Sequence, residues 1–154
     1  MTWEELTGAD RGTLEELMRT GATPDITQLL GHTYRGLNSG LVPRLTGEKF
    51  KKVFHEQEGR PCGHNLVVHQ RRDGWQVKTK NGEPVRIGWF SLRPEGHTVR
   101  FDYNVKQNSG LNLPLRGIQD FVVLPNPGDH SLVLGRAHFL KLRVAYFVLQ
   151  RETL

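Results

Sequence analysis

Apolar residues follow a helical spacing in the first thirty residues of the chain. They recur at helical intervals over residues 14–18, and Gly21 is typical of a helix C-terminus. Thr-x-x-Glu capping boxes begin at Thr2 and Thr13, and Thr23-Pro24 matches an N-cap followed by proline at the first helical position. Short helices of this kind are unstable alone. The pattern therefore predicts short helices that pack against another element.

After Gly31 the period of the apolar positions changes from helical to two. Asp73-Gly74 and Asn81-Gly82 are typical of type I′ turns, whose twist suits β-hairpins. Between Thr98 and Val105 apolar and polar residues alternate, as in a half-buried strand. The predicted strands are Thr33–Asn38, Phe50–Gln57, Asn65–Arg72, Trp75–Lys80, Val85–Arg93, Thr98–Val105, Ile118–Leu124, Leu132–Phe139 and Arg143–Arg151.

A chain of sequential hairpins must protect its edge strands, and closure into a barrel does so. We therefore predict a mainly β fold, an antiparallel β-barrel of about 8–10 strands with short N-terminal helices. The length of 154 residues suits a single domain, with residues 1–30 helical and residues 31–154 forming the barrel. A sandwich, or a curved sheet with the helices in its concave face, remains an alternative.

Composition favours a cytoplasmic protein that does not span a membrane. Charged residues make up 24% and hydrophobic residues 36% of the chain, as in ordinary globular proteins. No run approaches the roughly 18 apolar residues of a membrane span, and the acidic start lacks the pattern of an export signal. The lone cysteine, Cys62, cannot form an internal disulfide. The sequence leaves open whether the protein forms a homodimer.

The charge is unevenly distributed, and this bears on the choice of partners. Residues 1–30 carry a balance of −4 and residues 31–154 a balance of +9, for a net charge of +5. The field of the β portion would favour an anionic partner. Nucleic acid is not expected, because the basic cluster at the two hairpins lacks interleaved aromatic residues. That cluster consists of Arg71, Arg72, Lys78, Lys80 and Arg86.

The layout of an N-terminal helix, a glycine-bounded first strand and a meander of hairpins resembles the lipocalin-like, or calycin, group. Their first-strand Gly-x-Trp corresponds loosely to residues 31–36, where Tyr34 stands one position late. The resemblance implies a late arginine over that aromatic residue, with Arg143 and Arg151 as candidates. The carboxylate-binding Arg-x-Tyr of fatty-acid-binding relatives corresponds to residues 143–146. Here two residues instead of one separate the arginine from the tyrosine. The implied function is the binding of a small apolar or anionic amphiphilic molecule.

Polar residues on apolar strand faces are the candidate ligand-binding residues. Arg136 and His138 share a face of one strand, and Tyr146 and Gln150 share a face of its predicted partner. If these faces point inward, the four residues form a polar cluster at one end of an apolar cavity, where arginine could pair with a carboxylate or phosphate. The alternative is that the opposite, equally apolar faces form the core. Tyr103 and Trp89 are further candidates for the cavity wall.

Two other function classes remain as alternatives. The seven histidines lack the spacing of a metal site, but a single histidine can hold haem iron, so a haem-binding barrel is one alternative. A small cyclase or isomerase with a barrel or cone pocket is another; a buried carboxylate–histidine pair, with Asp102 or Asp120, would distinguish it. Binding without catalysis is the preferred interpretation.

Overall fold

The computed structural model describes residues 1–39 and 47–153, beginning with three short helices: α1 (Trp3–Thr7), α2 (Arg11–Thr20) and α3 (Ile26–Leu29). The capping box between Thr2 and Glu5 is confirmed. The next two helices begin at other residues than predicted. Asp10 caps α2, since its carboxylate accepts the Thr13 N–H at 2.8 Å, and Asp25 caps α3. Among the described residues, no helix is long and apolar enough to cross a membrane.

Eight antiparallel strands close into a barrel, as predicted. The barrel strands are β1 (Thr33–Ser39), β2 (Lys49–Gln57), β3 (Arg60–Val67), β6 (Arg86–Glu95), β7 (Thr98–Asp102), β8 (Ile118–Val123), β9 (Leu132–Phe139) and β10 (Leu142–Arg151). Around the barrel they follow the order β1-β10-β9-β8-β7-β6-β3-β2. A separate two-stranded sheet consists of β4 (Thr79–Lys80) and β5 (Glu83–Pro84). A 3₁₀ helix, Gly110–Gly117, precedes β8.

The segment between β3 and β6 differs from the prediction in part. The hairpin at Asn81-Gly82 is confirmed, and both residues have the positive φ of a type I′ turn. Residues 75–80 do not form a full strand; only the isolated bridge between Val68 and Val77 links this segment to the end of β3. Trp75 instead folds back onto β1, where its indole N–H donates to the Gly36 carbonyl at 2.9 Å.

Aromatic rings fill the closed interior of the barrel. Phe54 lies at the centre, in edge-to-face contact with Tyr34 and Phe101 at centroid distances of 5.3 Å for each pair. Phe90 stacks on Phe101 at 5.0 Å, and α3 contributes the fully buried Leu29 to this cluster. A second apolar cluster lies outside the barrel, where α1 and α2 cover β8, β9 and β10.

Three glycines on the inner face provide room for these rings. Each stands beside a phenylalanine on a neighbouring strand: Gly36 beside Phe50, Gly63 beside Phe90, and Gly135 beside Phe147. A Cβ atom on any of the three glycines would lie within 2.4 Å of a ring carbon, far closer than a van der Waals contact. The rings can therefore lie against the barrel wall only because these positions lack a side chain.

Candidate functional site

A cavity of about 660 Å³ lies inside one end of the barrel, which we call the open end. It is bordered by the last residues of β1, β3 and β9 and the first residues of β2, β6 and β8. Its apolar wall is formed by Phe50, Ile87, Leu115, Ile118, Ala137 and Phe147. The volume falls within the range of about 300–1,000 Å³ that is usual for small-molecule sites.

A polar cluster forms part of the cavity wall, and we call it the lysine cluster: the buried Lys52, Tyr103 and Asp120 with the half-buried Asn65. The Lys52 ammonium lies 3.3 Å from Asp120 Oδ2, and it donates to Asn65 Oδ1 at 2.9 Å and to the Tyr103 hydroxyl at 2.5 Å. The Tyr103 hydroxyl in turn donates to Asp120 at 3.1 Å. All three ammonium protons therefore have acceptors.

Burial opposes the ordinary charge states of this cluster. It lowers the pKa of Lys52 and raises the pKa of Asp120, while the attraction between the two groups counteracts both shifts. Burial, reinforced by the Asp120 charge, raises the pKa of Tyr103 well above its usual value of 10.0. The ionic and neutral forms of the lysine–aspartate pair are thus closer in free energy than they would be in water.

The lysine cluster could be predicted from the sequence only in part. Tyr103 was a candidate because it is an aromatic residue on the same strand face as Val99 and Phe101, and it lies in the cavity wall. Lys52 was missed, although it stands between Phe50 and Phe54 at a period of two, which places a lysine on an apolar strand face. Asp120 has the same signal between Ile118 and Val122. When two strands each have a charged residue of opposite sign on an apolar face, the pattern indicates a buried ion pair.

The expected polar cluster of β9 and β10 does not point into the barrel. Phe147 belongs to the interior cluster, whereas Tyr146 belongs to the cluster under the helices, so the opposite faces form the core. Arg136 pairs with Glu15 of α2 at 3.2 Å, and the Tyr146 hydroxyl also bonds to Glu15. The physical reason is that α2 supplies both the apolar cover and the carboxylate for this face.

The other three candidates are also separated from one another. Gln150 accepts from Arg35 on the outer face, at 3.0 Å from Nε. His138 borders the cavity near the end of β9, but its ring packs against Phe121 and accepts from the Arg136 Nε atom at 3.0 Å. Trp89 lies beside His64, with ring centroids 6.2 Å apart. Of the predicted polar cluster, Arg136 and Tyr146 therefore meet at Glu15 outside the barrel, and His138 bonds to Arg136.

A bulge explains why Trp89 does not share the face of Ile87. The register between β3 and β6 shifts by one residue at Gly88, which has a φ of +67°. Ile87 and Phe90 consequently both face the interior, and Trp89 turns outward. Tyr103 packs closely against the bulge: a Cβ atom added at Gly88 would lie only 3.2 Å from the tyrosine ring.

The arginine–aromatic contact implied by the lipocalin resemblance is present between the first and last strands. Tyr34 pairs in register with Arg151, whose guanidinium carbon lies 5.7 Å from the centre of the tyrosine ring. Arg151 also donates to the Tyr34 hydroxyl, at 3.1 Å from one terminal nitrogen. The side chain of Arg143, the other candidate, lies outside the described residues.

The cavity does not have the features expected of the two alternative functions. Its carboxylate, Asp120, pairs with Lys52 rather than with a histidine. Of the seven histidines, all within the described residues, His138 is the one that borders the cavity, and its ring bonds to Arg136 on the outer face. These positions do not fit haem ligation by an inward histidine. The residues in the described ranges also form no cluster suited to a metal ion.

A pair of histidines and the cysteine form a second group, on the outer face of β2 and β3. His55 Nε2 lies 3.2 Å from His64 Nδ1, and the Cys62 sulfur lies 3.3 Å from His55 Nδ1. Burial, together with the charges of His55 and Arg86, lowers the pKa of His64 to about 4. Burial raises the pKa of Cys62, which does not favour the thiolate needed of a nucleophile.

Acidification is expected to destabilise the protein through His64. Its folded pKa of about 4 lies below the usual histidine pKa of 6.5, so the unfolded chain binds a proton at pH 5 that the folded chain does not. This histidine should therefore remove about 2 kcal/mol from the free energy of unfolding between pH 7 and pH 5. Urea unfolding of a His64→Gln variant should show a smaller loss, and His32→Gln should retain the full loss. An equal pH dependence in both variants would contradict this assignment.

Comparison of the chain with protein-family models, with curated proteins and with solved structures finds no match. The class of protein therefore rests on its own geometry. That geometry defines a closed eight-stranded antiparallel barrel with an apolar cavity and a buried lysine–aspartate–tyrosine cluster in the cavity wall.

Proposed function

We propose that the barrel binds a small apolar molecule with one polar head group. The observation that carries this proposal is the cavity of about 660 Å³ whose mainly apolar wall contains a single buried polar cluster. Sites for small molecules typically combine apolar walls with a few placed polar groups. The apolar body would lie against Phe50, Ile87 and Phe147, and the head group would meet the lysine cluster.

The charge of the lysine cluster favours an uncharged head group, such as a hydroxyl or a carbonyl. Asp120 already neutralises Lys52 at 3.3 Å. The Asn65 Oδ1 atom and the Tyr103 hydroxyl accept hydrogen bonds from the other two ammonium protons. A carboxylate would have to compete with Asp120 and bring a second negative charge into a buried site, which is costly. The basic surface of the barrel would then serve a purpose other than selecting an anionic ligand.

A lipocalin-like relationship is part of the same proposal. Three features support it: the closed eight-stranded meander, the helix that precedes the first strand, and the contact of Arg151 with Tyr34. Because a fold does not define a function, these features support the architecture of a carrier, and the cavity supports the binding. A cytoplasmic location and a role without catalysis remain predictions.

Filling the cavity should weaken the binding of a neutral fluorescent probe. Titration with N-phenyl-1-naphthylamine is expected to give a saturable fluorescence increase, because the probe enters an apolar site. Ala137 lies in the cavity wall, so an Ala137→Phe variant should weaken probe binding at least tenfold, about 1.4 kcal/mol. Gln57→Phe adds a ring at the exposed end of β2 and should bind normally.

The same titration identifies the preferred head group. 1-Decanol should displace the probe at a concentration at least tenfold lower than decanoate at pH 8, since only decanoate is charged. Equal affinity of Ala137→Phe and the unaltered protein would place the probe outside the cavity and overturn the proposal. Preferential displacement by decanoate would overturn the choice of an uncharged head group.

A further inference from the structure

Two neighbouring loops expose leucines at the open end of the barrel. The 3₁₀ helix exposes Leu111 and Leu113, with 99% and 52% of their surface accessible, and the β9–β10 turn exposes Leu140 and Leu142, with 68% and 70%. The loops touch, because the Leu140 N–H donates to the Gly117 carbonyl at 3.0 Å. We call these four residues the rim leucines.

The rim leucines lie at the mouth of the cavity. Pro114 and Leu115 of the same 3₁₀ helix line the cavity, and so does Phe139, directly before Leu140. Each loop therefore presents apolar side chains both to the cavity and to the outside. Clustered exposed apolar residues of this kind mark an interaction site rather than ordinary surface.

Basic residues surround the same end. The segments that border it, residues 47–49, 69–86, 103–117 and 139–142, contain nine basic and three acidic side chains, a balance of +6. The whole chain has a net charge of +5, so the rest of the chain balances at −1. The positive charge of the protein is thus concentrated in the segments at the open end, where the rim leucines lie.

We propose that the open end docks onto the surface of an anionic lipid bilayer. The rim leucines would enter the boundary between head groups and acyl chains, while the basic side chains would lie at the anionic head groups. Apolar side chains and basic side chains at the same end of the barrel are complementary to such a surface, because it offers an apolar layer beneath a negative one. The cavity mouth would then face the bilayer, from which an apolar ligand could enter without crossing water.

The inference goes beyond the proposed ligand binding and can be tested without any ligand. Sedimentation of the full chain with vesicles of equal parts phosphatidylcholine and phosphatidylglycerol is expected to show binding. Vesicles of pure phosphatidylcholine should bind at least tenfold more weakly, and 0.5 M NaCl should release the protein, because salt screens the surface charge. Probe binding in the cavity is measured separately, so failure of one proposal leaves the other standing.

Two matched sets of variants assign the docking surface. The combination Leu111→Ser, Leu140→Asn and Leu142→Ser should weaken vesicle binding at least tenfold; asparagine suits position 140, where φ is +50°. Lys78→Glu with Lys80→Glu, at the open end, should also weaken binding at least tenfold. The control, Arg60→Glu with Arg93→Glu at the opposite end, changes the net charge equally and should bind normally.

Several outcomes would overturn the proposal. These are the absence of sedimentation with anionic vesicles, sedimentation unaffected by the rim variants, and equal effects of the two charge-reversed pairs. A concentration-dependent dimer that dissociates on substitution of the rim leucines, without vesicle binding, would instead assign this face to a second copy of the chain. Unchanged thermal unfolding of each variant would show that the comparison concerns the surface and not the fold.

Discussion

Replacement of Lys52 by methionine is expected to lower the free energy of unfolding by about 3–5 kcal/mol at pH 7, the usual cost of removing one partner from a buried ion pair. Lys52 is 3% exposed, and its loss leaves the Asp120 carboxylate without a counterion in the barrel interior. Burial already raises the pKa of Asp120. The deficit should therefore shrink as the pH falls, because the folded variant takes up a proton on Asp120 before the unfolded chain does.

Urea unfolding at pH 7 and at pH 5 tests this expectation with two further variants. Lys52→Met with Asp120→Leu removes both charges and should recover at least 2 kcal/mol of the loss. Lys51→Met affects the neighbouring lysine, which pairs with Glu152 at 2.6 Å on the outer face; its cost should be about 1 kcal/mol or less. A double variant as unstable as the single one would show that Lys52 acts through packing alone.

Introduction of a methyl group at Gly135 is expected to destabilise the barrel by about 3 kcal/mol, near the upper end of the usual cost of overpacking. The new Cβ would lie 2.1 Å from a ring carbon of Phe147, and the ring itself is 2% exposed, with interior neighbours such as Leu149. Neither the strand nor the ring can move without disturbing the β9–β10 ladder. Chemical denaturation of Gly135→Ala measures the effect.

Partial rescue by a smaller neighbour would identify the clash as the cause. The double variant Gly135→Ala with Phe147→Leu should be at least 1 kcal/mol more stable than the sum of the single effects predicts. Gly12→Ala in α2 is the control, since its Cβ would meet only Asp10 at 3.6 Å, and it should be neutral or slightly stabilising. Strictly additive losses at positions 135 and 147 would contradict this account.

The barrel was predictable from the sequence because period-two alternation and turn residues act locally. The pattern gave the positions of β7, β8 and β9 to within a few residues, and Asn81-Gly82 specified its turn. Residues 75–80 were predicted as a strand because Asp73-Gly74 and Asn81-Gly82, both typical of turns, flank them. Tertiary contacts of Trp75 with β1 compete with strand formation. The indole N–H donates to the Gly36 carbonyl, and the ring lies 4.7 Å from the Arg35 guanidinium carbon.

The site was predictable only where it depends on one strand. Tyr103 lies on a face whose alternation is regular, so its inward position follows from the pattern. The choice between the two faces of β9 and β10 depends on α2, whose Glu15 meets Arg136 at 3.2 Å. The Gly88 bulge, which turns Trp89 outward, is set by pairing with β3. Neither effect is contained in the period of a single strand.

Two of the glycine–phenylalanine pairs have a consequence for the size of the cavity in which we propose that a ligand binds. Phe50 and Phe147 line the cavity and contact each other at a centroid distance of 6.0 Å, whereas Gly36 and Gly135, against which they rest, lie behind them in the wall. A methyl group at either glycine would press its ring toward the cavity. The size of the cavity can therefore change through residues that do not line it, while the lysine cluster and the rim leucines stay the same.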